Sequence, residues 1–370
     1  MTLHSFHVLS MLSKKHFEIA RPTLPNWMTF VHWDDLHSEE QRRPSGFQAV
    51  LGGGTPIPQP VLIAPDLEII QLVSAGYDRL DMSILNERNL LVCNNPGANA
   101  QAVAEHILMS LLYFAHRAGE AQAIIYGGQF TLARSCLMGP LLRDLSEMTL
   151  GIVGFGAIGQ LFAQIAKPFG ANLLYHSRSR NQVAETRLDI TYSELDPLLK
   201  EADGIVVTLP LTSQTYHLFD SRRFAQMKET AIFINVGRGG VVDSYALTSA
   251  LAEKRIYAAS IDVFDPEPLP PDHPLLHVST EVRERLLLTP HTAGLTHHAW
   301  RGMVQKAIDN LIRYAISGQP QHIVPSTKHT VFLKMQNESA SRLDHPCDAL
   351  ERRGKFSARF NFESKWRIFP

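Results

Sequence analysis

The chain predicts an α/β protein made of two parallel-sheet domains with a cleft between them, and three features of its 370 residues predict it. The first is an apolar run, Leu150 to Val153, that enters a glycine-rich turn and leaves as an apolar-periodic helix over Gln160 to Lys167. The second is the recurrence of short apolar runs near residues 150, 173, 205, 232, 259 and 287, each closed by a turn, as buried parallel strands require. The third is a pair of long helical periodicities that bracket this block. Val103, Ile107, Leu111 and Ala115 mark one, and Met303, Ala307, Ile308, Leu311 and Ile312 mark the other.

Taken in order, His7 to Met11 reads as a first strand rather than a signal peptide, because His4 and His7 interrupt the apolar opening and no basic stretch precedes it. Residues 1–100 form a smaller, flavodoxin-like unit, to which residues 295–327 return. The turn Gly52-Gly53-Gly54 within it either brings backbone close to a ligand or simply ends a strand. Residues 101–294 form the larger, Rossmann-like unit. Pro274 to Arg285 is long and charged, and its stretch Ser279 to Arg285 reads as an extended surface loop. His297 and His298 read as an exposed helix start, and Trp300 either packs a helix or lines a pocket. Residues 328–370 lack sustained periodicity. Their last forty residues carry eight Lys/Arg against five Asp/Glu, so disorder is expected there.

The glycine turn, Gly151-Ile-Val-Gly154-Phe-Gly156-Ala-Ile-Gly159, carries the first functional signal. Gly154 permits a tight turn, Gly156 lets backbone approach a pyrophosphate, and Gly159 lets helix pack on strand. Free N–H groups at the helix start, near Ala157 and Ile158, then face the phosphates, so the turn predicts a bound dinucleotide. An NAD-preferring site wants a carboxylate where the next strand ends. Position 177, eighteen residues past Gly159, is Ser177, followed by Arg178, Ser179 and Arg180. An uncharged serine removes repulsion from a 2′-phosphate, and an arginine fork binds one, so NADPH is expected over NADH.

Three further segments each follow an apolar strand: Asn235-Val236-Gly237-Arg238, Asp262-Val-Phe-Asp-Pro-Glu267 and Thr289-Pro-His291-Thr-Ala293-Gly294. Residues just past strand C-termini line the ligand crevice of an open α/β sheet. An arginine, a carboxylate and a histidine therefore converge there, as reduction of a 2-oxo acid requires. The arginine binds the substrate carboxylate and polarises the ketone, and the histidine hands over a proton near neutrality. A carboxylate on the other ring nitrogen orients the ring.

With these motifs in order, the chain resembles the D-isomer-specific 2-hydroxyacid dehydrogenase family from about Phe47 to Val324. Ser74-Ala75-Gly76-Tyr77-Asp-Arg-Leu-Asp81, Asn95-Pro-Gly97, Val103-Ala-Glu105-His106 and Thr208-Leu209-Pro210 add to the likeness. The resemblance implies that Arg238, Glu267 and His291 are catalytic. It implies that Asp262, Ala293 and Gly294 surround the nicotinamide, and that Leu209, Pro210, Thr215, Val236 and Gly237 line the cofactor. It also implies substrate contacts from Ala75, Gly76 and Tyr77, with Gly53 nearby, and a homodimer. NADPH-preferring members make glyoxylate and hydroxypyruvate the expected acids. The runner-up is a cofactor-sensing binding protein resembling the transcriptional corepressors that keep this fold. A formate dehydrogenase is disfavoured, since that branch resembles this one but has glutamine at the position of Glu267.

Composition agrees. A net charge of −1 suggests no general affinity for nucleic acid or an anionic membrane. Cys93, Cys136 and Cys347 are odd in number and lack metal-ligand spacing, which favours a reducing, cytoplasmic setting with no metal site. No apolar run reaches the length of a membrane helix.

Overall fold

A computed structural model describes residues 5–53, 56–138 and 142–325. The disorder expected of residues 328–370 and the position of Gly54 lie outside the described residues. Twelve strands among the described residues form two all-parallel sheets. The first contains β1 (Phe6–Ser10), β2 (Met28–His32), β3 (Ala49–Gly52), β4 (Ile69–Leu72) and β5 (Leu91–Cys93) in the order β2-β1-β3-β4-β5. That is the flavodoxin-like order expected for the smaller unit. The second contains β6 (Thr149–Val153), β7 (Asn172–His176), β8 (Thr191–Tyr192), β9 (Gly204–Val207), β10 (Ile232–Asn235), β11 (Ala258–Ile261) and β12 (Leu286–Leu288).

Its order, β12-β11-β10-β9-β6-β7-β8, reverses direction between β6 and β9. The two halves run outward from that point, as in a dinucleotide-binding sheet, and a crevice opens beyond the strand ends there. The central strands β6, β9, β10 and β11 are buried on both faces because helices cover both. Leu150 and Ile152 of β6 join the cluster around Ile107, Leu111 and Phe162, while Val153 joins the opposite cluster around Leu198, Ile205 and Phe233. The helix Ala100–Ala115 therefore puts its apolar side into the second sheet. The helix His297–Ser317 returns Val304, Ala307, Ile308 and Leu311 to the first sheet, against Val8, Ala49 and Ile69.

Element ends shift by a few residues from the sequence reading. The first strand is Phe6–Ser10 rather than His7–Met11, and the helix after the glycine turn starts at Ala157 rather than Gln160. Two corrections are larger. The two-residue edge strand β8 gives too short an apolar run to be read. The segment Ser279–Arg285 is not a bare surface loop. It forms a helical turn, Thr280–Arg283, capped by the Ser279 side chain, with Val282 buried in the core. Arg285 then ties it down by donating to the carbonyls of Leu251, Ile256 and Tyr257. His291 is thus not displaced by the long segment before it.

Asp203 holds the lower end of the second sheet. It accepts from the Thr149 amide at 2.9 Å and pairs with Arg143 at 3.2 Å and Lys228 at 3.0 Å. Burial pushes its pKa up, but these hydrogen bonds and charges outweigh burial and leave it below the ordinary aspartate value. A depressed carboxylate adds stability that is complete above the ordinary aspartate range and is lost as pH falls below it. Asp203→Asn should therefore cost about 1.5–3 kcal/mol at neutral pH. The deficit should vanish in acid, as read by denaturant unfolding of both proteins at a series of pH values.

Candidate active site

The glycine turn sits at the reversal point of the second sheet. Gly154 has φ +100°, where a side chain would be strained, and its amide donates to the His176 carbonyl at 2.9 Å. Thr208, past β9, closes the turn by donating its hydroxyl to the Gly154 carbonyl at 2.7 Å. A Cβ on Gly159 would lie 2.3 Å from that same carbonyl, so only glycine lets the helix Ala157–Ala166 start this close to the strand. A Cβ on Gly156, by contrast, would meet nothing within 4 Å. The turn therefore offers open space above a helix N-terminus, a cradle that fits a dinucleotide pyrophosphate.

At the end of β7, Ser177 donates to the Ser179 carbonyl at 2.7 Å. Arg180 is locked on Glu185 through Nε and Nη2. Arg178 is exposed and makes no ion pair among the described residues. Leu209, Pro210 and Thr215 follow β9, with the Thr215 hydroxyl donating to the Pro210 carbonyl at 2.7 Å. Val236 and Gly237 follow β10. A Cβ on Gly237 would come within 2.5 Å of the Leu209 carbonyl, so the two loops pack backbone to backbone.

Arg238, Glu267 and His291 gather in the same cleft. Glu267 accepts from His291 Nδ1 at 2.9 Å through Oε2 and from the Phe264 amide at 2.8 Å through Oε1. Burial raises the Glu267 pKa. The hydrogen bonds from His291 and the Phe264 amide, with the charges of His291 and Arg79, outweigh it and leave the carboxyl below its usual range. A carboxylate can only accept, so Nδ1 is the donor and Nε2 is left for other chemistry.

The His291 backbone has φ +55°, a left-handed conformation rare for a residue with a side chain. Asp262 holds it there. Its carbonyl accepts the His291 amide at 2.8 Å, and its carboxylate accepts from the Thr289 hydroxyl and the amides of Thr292 and Ala293. Asp262 is buried, so it lies beneath the loop and shapes it. Gly294 is held at the same level, where a Cβ would strike the Asn99 side chain at 2.1 Å.

The turn after β4 faces these residues. Ala75 and Gly76 are fixed through their carbonyls by Asn94 and Ser74. Gly76 lies so close to Arg238 that a Cβ would sit 1.5 Å from Nη2. Tyr77 is exposed beside them, and Gly53 packs near Leu12. Trp300 donates its indole N–H to the His16 carbonyl at 2.8 Å, which makes it a packing aromatic of the first unit. His297 and His298 are exposed at the helix start, as expected.

Two residues of this site were not singled out in the sequence, Asp78 and Arg79. Asp78 accepts from Arg238 Nε at 2.9 Å, and Arg79 pairs with Glu267. The adjacent opposite charges in a turn between two glycine- and aspartate-rich positions were the available signal. What hid it was distance, since their partners lie 160 and 188 residues further on.

A parallel doubly wound sheet with this crevice is the architecture of a nicotinamide-dependent oxidoreductase, and comparison with known proteins identifies which kind. The family model described as "D-isomer specific 2-hydroxyacid dehydrogenase, NAD binding domain" matches residues 108–293. The glyoxylate/hydroxypyruvate reductase B of Salmonella typhimurium (strain LT2) is 40% identical over 301 residues, 80% of this chain and 88% of its own length. The NADPH-dependent glyoxylate/hydroxypyruvate reductase of Sinorhizobium meliloti, solved with NADP and malonate, superposes with a TM-score of 0.71 at 26% identity. That match covers 87% of this chain and 98% of the other. The D-lactate dehydrogenase of Aquifex aeolicus, complexed with NAD and lactic acid, shares the fold with a TM-score of 0.72 at 22% identity. It covers 86% of this chain and 98% of its own. The chain belongs to the D-isomer specific 2-hydroxyacid dehydrogenase family and is an enzyme of it.

Because the Gly154 carbonyl cannot move without breaking its bond from Thr208, Gly159→Ala should push the helix start away from the turn. We expect at least tenfold weaker dinucleotide binding, a cost of about 1.4 kcal/mol or more. Cofactor fluorescence titration reads it directly.

Proposed function

We propose that the protein reduces a 2-oxo acid of the glyoxylate or hydroxypyruvate type to the D-2-hydroxy acid, with NADPH preferred over NADH. The observation that carries this reading is the Arg238, Glu267 and His291 set at one cleft, with Glu267 on the His291 Nδ1. Residues 1–100 with 295–327 act as the substrate domain, and residues 101–294 as the cofactor domain.

In this reading the pyrophosphate lies on the Gly154–Gly159 turn. Ser177, Arg178 and Ser179 take the ribose end, and Leu209, Pro210, Thr215, Val236, Gly237, Asp262, Ala293 and Gly294 line the rest. When bound, the cofactor supplies a hydride to the carbonyl carbon. Arg238 binds the substrate carboxylate and draws electron density towards the carbonyl oxygen. His291 Nε2 delivers the proton that this oxygen takes up, completing the alcohol. Glu267 holds the ring and stabilises its protonated form. Backbone at Ala75, Gly76 and Tyr77, with Gly53 behind, positions the carboxylate from the opposite side. Hinge closure over these charges excludes water and strengthens each interaction.

The NADPH preference rests on Arg178, exposed and unpaired among the described residues, beside an uncharged Ser177. The NADPH dependence of the Sinorhizobium relative supports it. A homodimer is part of the same reading. The apolar faces of the two long helices are buried within the chain itself. The helices Ala118–Tyr126 and Phe130–Leu137 instead expose Ile125, Tyr126, Phe130 and Leu132. Among the described residues no helix is long and apolar enough to cross a membrane. We place the enzyme in the cytoplasm, where its cysteines stay reduced.

The decisive assay follows cofactor absorbance with NADPH and NADH in parallel across a panel of 2-oxo acids. Turnover with NADPH on small acids is the expected result, and binding without turnover on any acid would sink the reading. Arg238→Ala and His291→Ala should each lose on the order of a thousandfold in kcat/KM, while NADPH binding persists. Near-native turnover in either would remove that residue from the mechanism. The double variant Ser177→Asp with Arg178→Ala should turn cofactor preference towards NADH. An unchanged ratio of kcat/KM values would place 2′-phosphate recognition elsewhere.

A further inference from the structure

We propose that Arg79 is a positioning residue for the reaction: it reaches across the cleft to the same Glu267 oxygen that His291 uses, and so couples the histidine to the turn after β4. The proposal rests on the reductase reading above. Its geometric basis is the crowding of one carboxylate. Glu267 Oε1 is taken by the Phe264 amide, so Arg79 Nη2 and His291 Nδ1 both converge on Oε2.

Arg79 is well placed to hold that oxygen. Its turn is pinned on one side by Asp81, whose carboxylate caps the helix Met82–Glu87 through the amides of Ser83 and Ile84. On the other side Ser74 donates to the Gly76 carbonyl. Between them, Asp78 and Arg79 each pair with a residue of the opposite unit, Arg238 and Glu267. These two ion pairs clamp the substrate-side turn onto the segments that carry the arginine and the histidine. Only when the turn is in this place does Glu267 have its third donor.

Two consequences follow from electrostatics. Arg79 fixes Oε2 and with it the plane of the His291 ring. As a cation on the same oxygen, it also competes with protonated His291 for Glu267 Oε2. Other charged groups lie on the segments packed around the pair. They are Asp78 from the same turn, Arg238 after β10, Asp262 and Asp265 after β11, and His106 on the helix Ala100–Ala115. The Asp262 carboxylate is already taken by the loop of Thr289 to Ala293, and Asp78 is engaged with Arg238. Arg79 is therefore the positive group whose removal acts on Oε2 directly.

The test compares wild type, Arg79→Gln and Arg79→Lys, with folding checked by circular dichroism. In reduction the histidine must be protonated, so kcat/KM falls as pH rises through its pKa. Arg79→Gln should move that alkaline limb up by about 0.5–1 pH unit. It should lower kcat several-fold at low pH, with the KM for cofactor unchanged. Arg79→Lys should return the limb towards wild type. The same shift should appear without turnover in the NMR titration of His291, assigned by its loss in His291→Gln. An unchanged His291 titration in Arg79→Gln overturns the proposal, as does Arg79→Lys titrating like Arg79→Gln. A wild-type protein that turns over no 2-oxo acid overturns the reductase reading instead, and the titration still decides the role of Arg79.

Discussion

The buried carboxylate of Asp262 is the constraint on which the geometry of the cleft depends. Its two oxygens take the Thr289 hydroxyl and the amides of Thr292 and Ala293, and its own carbonyl takes the His291 amide. Four contacts from one residue thus determine a loop of five. A left-handed backbone at a histidine costs on the order of 1–3 kcal/mol and persists only where its surroundings over-determine it. At φ +55° His291 meets that condition through Asp262. Nearby, burial holds the His106 pKa below the ordinary histidine value, against the opposing pull of the Asp262 charge. His106 is half-buried beneath the loop, and His291, paired with a carboxylate, is exposed to the cleft.

The fold explains why such residues meet at all. In a parallel sheet every strand ends on the same side, so the loops after β10, β11 and β12 emerge together although about fifty residues separate the first from the last. The first sheet is built the same way, and its β4 end faces them. Each sheet contributes a pair of opposite charges, Arg238 with Glu267 and Asp78 with Arg79. Their crossed pairing is a specific electrostatic fit between two bodies that otherwise meet through linking helices.

Most of this was legible in the sequence for physical reasons. Strands buried on both faces read as continuous apolar runs, and Gly154 and Gly159 are required by a positive φ and by a 2.3 Å approach to a carbonyl. Arg238, Glu267 and His291 were visible because each follows such a run. What the sequence concealed were relations across the cleft. Asp78 and Arg79 sit in a quoted motif, yet nothing local marks them as partners of residues in another sheet. The turn Thr280–Arg283 was concealed differently. Its charged exterior outweighs the single apolar Val282 that docks it, so a local reading of composition favours a loop. Trp300 was ambiguous because an aromatic on a helix says nothing of which neighbour accepts its N–H.

The Asp78 contact raises the question of whether Arg238 is blocked before a substrate arrives. Arg238 donates Nε to Asp78 and Nη1 to the Gly237 carbonyl, which leaves Nη2 against Gly76 without a hydrogen-bond partner among the described residues. The Arg238 and Asp78 side chains are 26% and 35% exposed, and a partly solvated pair is worth about 1 kcal/mol or less. A carboxylate entering beside Gly76 would meet an unused donor on a guanidinium whose plane is already set. As the cleft closed and water left, charge-assisted bonds to that carboxylate would strengthen. The Asp78 bond does not have to break for this to happen, because it uses a different nitrogen. Asp78 therefore orients Arg238 more than it obstructs it, and Gly76, with no side chain, is what leaves room for the remaining nitrogen.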